Sequence, residues 1–367
     1  MKRALFVITL LFTSIFVMPA ANASDVAIYV TEPTHRQIDG LFIDDELVAN
    51  LAYDGRLGQL VFNPPRGNRN WFIDPQLIEE VKAMTSDYSI VGGESGVGGV
   101  VAKNWLNQLT AITRGDRITA LAYGNPSGYW ISKLAQSKSD FYLQFGAKRL
   151  TAALNRQVSQ LAKYPSAKAP KLDFLTIQTF RHSQIVLKLN SQYMSPEEIE
   201  KFQSQSASIL HPDLKVGHRT MLGLDLASST EKLANKIRLA PGRFTITSTK
   251  QNLPITLIND FPNPAKVSLE IGTLNGKVLV ESVPTQIVNG NSKIQVMIPV
   301  EVVTSGQSEL SVKIFSEKHK LLGDEVIYPV TLKVISPIAT WITTGGAIIL
   351  FVSALIQSFR RIRRKRL

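Results

Sequence analysis

Two carboxylates that face each other across a cleft are the minimum that a glycosidase needs. Asp74 follows the apolar run NWFI and is the best-placed candidate for one of them. It also directly precedes Pro75, an order typical of a helix N-cap. The natural place for the second acid is the end of the run ITALAY, but Asn125 and Ser127 stand there and neither can act as a general acid.

A metal site is the second chemistry to consider. FIDDEL, residues 42–47, resembles the acidic first motif of carbohydrate deacetylases, whose metal is held by one aspartate and two histidines. The five histidines of the chain contain no H-x-x-x-H pair, and helix capping accounts for the aspartates. HPDLKVGH groups His211, Asp213 and His218, but its spacing fits no metal motif, so a site there is only an alternative. The sequence therefore predicts no metal and no cofactor.

Composition excludes further classes of chemistry. The chain has no cysteine, which rules out disulfides, thiolate metal sites and cysteine nucleophiles. No G-x-S-x-G elbow points to a serine hydrolase. The formal net charge is +12, but +2 comes from Lys2 and Arg3 and +6 from the last eight residues, which leaves about +4 on residues 24–335. The basicity thus belongs mostly to the chain ends, and no nucleic-acid partner is predicted.

The N-terminus has the pattern of a secretory signal. A basic start is followed by an apolar stretch over residues 4–17 and by the small residues Ala21-Asn22-Ala23. This order predicts a signal peptide over 1–23, cleaved after Ala23, with an uncleaved N-terminal anchor as the alternative.

The C-terminus predicts a membrane anchor. Residues 336–359 contain no charged side chain and are long enough for a transmembrane helix. A basic tail, residues 360–367, follows immediately, and by the positive-inside rule it lies in the cytoplasm with the N-terminus outside the cell. The tail is also expected to contact anionic lipid. Its cations are Arg360, Arg361, Arg363, Arg364, Lys365 and Arg366.

Between these ends the chain divides into two predicted domains. Residues 24–240 alternate strands and helices, which predicts an α/β ectodomain with a mainly parallel sheet, either a closed barrel or an open sheet. The expected strands are VAIYVT, NWFI, ITALAY, LDFLTI and QIVLKLN, and a long helix is expected over residues 140–162. Residues 241–335 carry about seven short alternating runs broken by Gly, Pro and Asn. They predict an antiparallel, immunoglobulin-like β-sandwich close to the membrane.

Several stretches together resemble one known family. They are TEPTHRQIDGLFIDDELVANLAYDGRLGQLV, NWFIDPQLIEEV, ITALAYGNP and LPITLINDFPNPAKVSL. They are similar to an actinobacterial family of exported, C-terminally membrane-anchored proteins of unknown function, often encoded beside the lipid II flippase. The resemblance implies an envelope role tied to peptidoglycan precursor export, but no established activity. The family pattern has aspartates where this chain has Asn125 and Ser127, so any chemistry that those acids perform in relatives is expected to be lost here.

The predicted function is a non-enzymatic, single-pass cell-membrane protein that acts as an extracellular binding or scaffold module in cell-wall biogenesis. Its expected partners are the membrane, a cell-wall glycan and a membrane protein of precursor export. Candidate ligand-binding residues lie near the strand ends: Asp74, Tyr123, Asn125 and Trp130. The alternative is a glycan-active hydrolase that pairs Asp74 with a carboxylate from elsewhere, such as Asp173 or Asp225.

Overall fold

The computed structural model describes residues 25–165, 169–334 and 337–364. The predicted signal peptide and its cleavage site after Ala23 lie outside the described residues, as do Lys365 and Arg366 of the tail.

Four parallel strands form the sheet of the N-terminal half. They lie in the order β1-β2-β3-β4, so each strand pairs with its neighbour in the chain. Among the described residues the two outer strands do not pair with each other, so the sheet is open and not a closed barrel. The runs VAIYVT, NWFI and ITALAY supply three of the strands, as predicted. The bounds are β1 (Val26–Val30), β2 (Arg69–Ile73), β3 (Arg117–Ala120) and β4 (Ser159–Gln160).

Nine α-helices accompany this sheet in the described part of the chain. They are α1 (Glu46–Leu51), α2 (Arg56–Phe62), α3 (Pro75–Met84), α4 (Gly99–Ile112), α5 (Gly128–Leu134), α6 (Ser139–Leu154), α7 (Phe174–Asn190), α8 (Pro196–Ser206) and α9 (Val216–Ala234). Local capping explains two of the starts. Asp74 caps α3 ahead of Pro75, and Ser195 forms a capping box with Glu198 at α8.

The predicted strands LDFLTI and QIVLKLN are wrong, because LDFLTI runs into the first turn of α7 and QIVLKLN forms its last part. The buried positions of this helix repeat every three or four residues, which is helical and not strand spacing. Half of that stripe is polar, which hides the pattern in the sequence. The stripe consists of Thr176, Phe180, Ser183, Val186, Leu187 and Asn190.

The predicted long helix over 140–162 is also too long. Helix α6 ends at Leu154, and Asn155 takes a left-handed conformation with φ of 50°. This conformation is a common helix stop, and it frees the chain to form β4.

Two further sheets make up the C-terminal half. One has five strands in the order β10-β8-β12-β13-β6, and the other has four in the order β5-β7-β11-β9. All pairs are antiparallel except β6 with β13, which departs from the fully antiparallel sandwich predicted. The bounds are β5 (Ile237–Leu239), β6 (Phe244–Ile246), β7 (Lys250–Asn259), β8 (Ala265–Thr273), β9 (Val278–Val280), β10 (Gln286–Val288), β11 (Ser292–Val302), β12 (Gly306–Ser316) and β13 (Leu321–Leu332).

Two hydrophobic cores hold these layers together. The first packs β1–β3 against α1–α4 and includes the fully buried Trp71 and Trp105. The second is continuous from α5–α9 into the two C-terminal sheets. Phe261 is fully buried beside the Tyr193 ring, with 5.8 Å between ring centroids. The last helices of the α/β region are therefore packed directly onto the sheets.

The C-terminal helix α10 (Pro337–Arg364) stands apart from both cores. Its segment Trp341–Ser358 is long and apolar enough to cross a membrane, and none of it is buried in the protein. An apolar helix with no protein packing is consistent with single-pass membrane anchoring.

Candidate functional site

Three strands of the parallel sheet end at the same level. Val30 pairs with Ile73, and Ile73 pairs with Ala120, so the last residues of β1, β2 and β3 lie side by side. The segments that leave these strands therefore meet at one edge. In open α/β sheets this carboxyl edge is where ligands usually bind.

Asp74 lies at this edge but is a structural residue. It is 1% exposed, and its Oδ1 accepts hydrogen bonds of 2.9 Å from the backbone N–H groups of Gln76 and Gly124. Its Oδ2 is buried without a partner among the described residues. Burial raises the pKa of Asp74 to about 8, against the lowering effect of the two N–H groups. Asp74 joins the start of α3 to the turn after β3.

That turn requires glycine at position 124. Gly124 has φ of 70°, and a Cβ there would lie 2.4 Å from Oε1 of Gln76 and 2.8 Å from Oγ of Ser208. Ser208 donates a 2.7 Å hydrogen bond to the same Gln76 oxygen. Hydrogen bonds among these buried polar groups thus fix the conformation of the turn.

Tyr123 lies on the wall of a polar cavity of about 490 Å³, which we call the tyrosine cleft. Its hydroxyl donates a 2.8 Å hydrogen bond to Glu79, which is also ion-paired with Arg149. Burial and the neighbouring Glu79 raise the pKa of Tyr123 well above its ordinary value, so the phenol stays protonated. The charged residues that line the cleft are Arg36, Lys148, Arg149, Lys201, Glu79, Glu80, Glu197 and Glu200.

The other two predicted ligand-binding residues lie elsewhere. Asn125 has φ of 38° and donates a 3.2 Å hydrogen bond to Oγ1 of Thr31, which ties the β3 turn to the β1 turn. Trp130 is half-buried against the second core and donates to the carbonyl of Pro170 at 2.8 Å. Of the four candidates, Tyr123 alone lines a cavity described here.

The two acids considered as partners of Asp74 also have structural roles. Asp173 caps α7, accepting from the N–H and hydroxyl of Thr176 at 2.7 and 2.9 Å. Asp225 accepts the N–H of Ile38 at 2.8 Å.

A second cluster, His35, Asp44 and His218, forms where the β1–α1 loop meets α9. Nδ1 of His35 lies 2.7 Å from Oδ1 of Asp44, and Nε2 of His218 lies 2.8 Å from Oδ2 of the same carboxylate. The two imidazole rings are edge-on, with 5.4 Å between centroids. The structure thus brings to Asp44 the two histidines that the spacing of the sequence did not offer. Asp44 also helps to cap the start of α1, since its Oδ1 accepts the N–H of Glu46 at 3.0 Å.

These histidines open onto a cavity of about 340 Å³, the histidine cavity. Its lining consists of Thr31, Glu32, Pro33, His35, Arg56, Asp213, Lys215 and His218. Burial alone would lower the pKa of His35, but the carboxylates of Asp44 and Glu32 outweigh it and raise the pKa to about 10. The same contact holds the pKa of Asp44 below its ordinary value despite partial burial. His35 and Asp44 are therefore an ion pair at neutral pH.

His211 is separated from this cluster. It is 1% exposed, and its Nδ1 accepts the backbone N–H of Asp213 at 3.1 Å while its Nε2 lies 3.3 Å from Oγ1 of Thr31. Burial lowers the pKa of His211 to about 4, so the ring is neutral and its Nε2 carries the proton. The two histidines of HPDLKVGH thus have different roles. His211 supports the turn after β1, whereas His218 contacts Asp44.

Sequence reasoning missed the residues that shape both cavities. Glu79 and Arg149 come from separate helices, and nothing in their local sequence predicts that they meet. For Asp44 a signal existed in FIDDEL, but His35 lies nine residues earlier in the same loop and His218 lies on α9, a spacing that fits no metal motif.

Comparison with known proteins identifies the family but no activity. The profile described as "Family of unknown function (DUF6049)" matches residues 147–365. No curated protein matches the chain.

Three solved structures illustrate the likenesses of the fold. Native Escherichia coli alpha-2-macroglobulin is 15% identical with a TM-score of 0.22, covering 26% of this chain and 6% of that one. The FixG-related protein from Vibrio parahaemolyticus is 13% identical with a TM-score of 0.19, covering 23% and 79%. The PapD-like domain of human CEP192 is 10% identical with a TM-score of 0.22, covering 28% and 87%. The chain spans only a small part of the macroglobulin, and likenesses this distant carry no argument about function.

Proposed function

This chain belongs to the family of unknown function DUF6049, and we propose that it is a non-enzymatic, single-pass protein of the cell envelope. In this proposal the exported ectodomain binds a cell-wall glycan or its precursor in the tyrosine cleft and acts in peptidoglycan biogenesis. The resemblance to actinobacterial proteins encoded beside the lipid II flippase favours this setting.

The charge pattern of the tyrosine cleft carries the proposal. Four cationic side chains and four glutamates line it, and several already form pairs, such as Lys148 with Glu200 at 2.7 Å. A mixed-charge wall of this kind complements a ligand that has both charges together with hydroxyl and amide groups. Peptidoglycan fragments, with sugars and a charged stem peptide, have this chemistry.

The membrane setting is supported by the C-terminal helix. Strand β13 ends at Leu332 and α10 begins at Pro337, so the C-terminal sheets would lie next to the bilayer. We propose that these sheets are an immunoglobulin-like spacer over residues 241–335 that carries the α/β domain of residues 24–240. The basic residues after Phe359 favour a cytoplasmic C-terminus.

The hydrolase alternative loses its main support. Asp74 is buried, caps α3 and lines none of the cavities described here. A glycosidase acid must reach the glycosidic oxygen of its substrate, and Asp74 has no such access.

Binding and turnover can be tested together on full-length protein in detergent micelles. Muropeptides and a soluble lipid II analogue would be titrated by calorimetry, and the products would be analysed by liquid chromatography. We expect binding without turnover. Arg149→Met should weaken binding roughly tenfold or more, because one charge-assisted contact is lost. Trp130→Phe is the matched control, since Trp130 lies outside the cleft.

Two results would contradict the proposal. Wild-type affinity in Arg149→Met and Tyr123→Phe would place binding outside the tyrosine cleft. Hydrolysis of the fragments that disappears in Asp74→Asn would restore the enzymatic alternative.

A further inference from the structure

We infer that His35, Asp44 and His218 form a binding site for a divalent transition-metal ion of the Zn²⁺ type. One ligand atom from each residue lies within 4.8 Å of the others. Two imidazole nitrogens and one carboxylate oxygen are ligands that Zn²⁺ accepts readily. This inference does not rest on the proposed function, because it concerns the histidine cavity and not the tyrosine cleft.

The distances within the cluster show what must move to accept an ion. Zn–N and Zn–O bonds of about 2.0–2.2 Å place neighbouring tetrahedral ligand atoms roughly 3.3 Å apart. The nitrogens of His35 and His218 lie 2.7 and 2.8 Å from the oxygens of Asp44. To hold the metal, each of these contacts must open by about half an ångström, and the two imidazole nitrogens, which lie within 4.8 Å of each other, must reach the same tetrahedral spacing, with release of the shared protons.

Two carboxylates lie next to His35. Nε2 of His35 faces Oε1 of Glu32 at 3.9 Å, on the side of the ring opposite Asp44. A carboxylate that hydrogen-bonds a ligating imidazole fixes its tautomer and raises its basicity, and Glu32 must approach by about 1 Å to form that bond. The backbone N–H of His35 donates to Oε2 of the buried Glu80 at 3.1 Å, and this hydrogen bond fixes the backbone of the histidine.

The cluster is accessible from solvent. His35 is buried, whereas the side chains of Asp44 and His218 are 24% and 15% exposed. His35 and His218 line the histidine cavity, so an ion can enter from there and a further oxygen ligand can reach it. Three protein ligands with one open position are typical of reactive zinc sites, whereas structural sites are closed by four.

The test uses full-length protein in detergent, stripped with a chelator and dialysed before titration. Calorimetry with Zn²⁺ alone should show one ion per chain, and Co²⁺ should give the visible absorption of a nitrogen-ligated site. Glu32→Gln should weaken Zn²⁺ binding by roughly 10–100-fold, as loss of an outer-shell carboxylate does. His218→Ala removes a ligand and should weaken it at least as much.

His182→Ala is the matched control, because His182 is an exposed histidine on α7 outside the cluster. His218 is partly exposed on α9, so its removal leaves the core intact, and circular dichroism checks the fold of each variant. Zn²⁺ should raise the melting temperature of the wild type and of His182→Ala but not of His218→Ala. The inference is overturned if the wild type binds no stoichiometric ion, or if His218→Ala binds Zn²⁺ like the wild type.

Discussion

At the scale of single residues, the buried carboxyl of Asp74 makes the free energy of unfolding depend on pH. Its folded pKa is about 8, against an ordinary value of 3.8. Between these values the unfolded chain has lost the proton that the folded protein keeps. The folded state therefore binds more protons, and the free energy of unfolding falls as the pH rises through this window.

Asp74→Asn should remove this dependence. The amide oxygen can still accept from the N–H groups of Gln76 and Gly124, while no charge has to be buried. Relative to the variant, the wild type should lose stability between about pH 4 and pH 8, by up to about 1.4 kcal/mol for each pH unit. Chemical denaturation at a series of pH values measures the difference.

Asp173→Asn serves as the control for this series. Asp173 is an N-cap like Asp74, but it is exposed, and its hydrogen bonds with Thr176 lower its pKa. Asp173 stabilises the folded state at pH values above its ordinary pKa, and this stabilisation is lost as the pH falls. The pH dependence of its effect on the free energy of unfolding is therefore opposite to that of Asp74. Parallel stability curves for wild type and Asp74→Asn would show that Asp74 is already ionised in the folded state.

At the scale of elements, α6 packs unusually close to the end of β3. Gly146 lies in the middle of this helix, and a Cβ there would be 2.1 Å from the carbonyl oxygen of Leu121. The backbone N–H of Tyr123 donates to the carbonyl of Tyr142 at 3.3 Å on the same helix. The position of Tyr123 in the cleft thus depends on a glycine two elements away.

Gly146→Ala should destabilise the protein by about 1–3 kcal/mol, because the helix must move away from the strand. Gly223→Ala, in the open middle of α9, should stabilise it by about 0.5–1 kcal/mol through the loss of glycine's backbone freedom. Both values come from denaturation followed by circular dichroism. Equal stabilities for the two variants would show that α6 does not pack against β3 in this way.

At the scale of the whole molecule, the helices α7–α9 and the C-terminal sheets share one core. Strand β5 directly follows α9 and pairs with β7, and the side chain of Asn263 donates to the carbonyl of Met194 at 3.0 Å. The C-terminal sheets, which directly precede α10, therefore pack against the helices α7–α9.

The absence of cysteine provides a clean test of orientation. Thr304→Cys introduces a thiol at an exposed turn between β11 and β12, and Leu367→Cys introduces one at the last residue. If α10 spans the membrane with its basic end inside, an impermeant maleimide should label only Thr304→Cys in intact cells. Leu367→Cys should be labelled after lysis. Labelling of Leu367→Cys in intact cells would contradict this orientation, and the unmodified chain is the blank.

Short-range patterns in the sequence were enough to predict many of the helices and strands. Asp74-Pro75 and the Ser195 capping box predicted helix starts, because a cap is decided within one turn. The apolar run at the C-terminus predicted α10 from length alone. The same local reasoning failed for α7, since Thr176 and Ser183 replace apolar residues in its buried stripe and no pattern of hydrophobicity marks the helix.

The sequence by itself determined the strands β1–β3, the β-rich C-terminal half and the apolar end helix, because each depends on residues that are close in the chain. Tertiary structure alone decided where the chemistry could lie. It buried Asp74 under the turn after β3, so this predicted acid cannot reach a substrate. It also folded the β1–α1 loop so that His35 meets Asp44, and it brought His218 to them from the distant helix α9. Contacts between distant segments are set by how whole elements pack, and residue spacing carries no record of them.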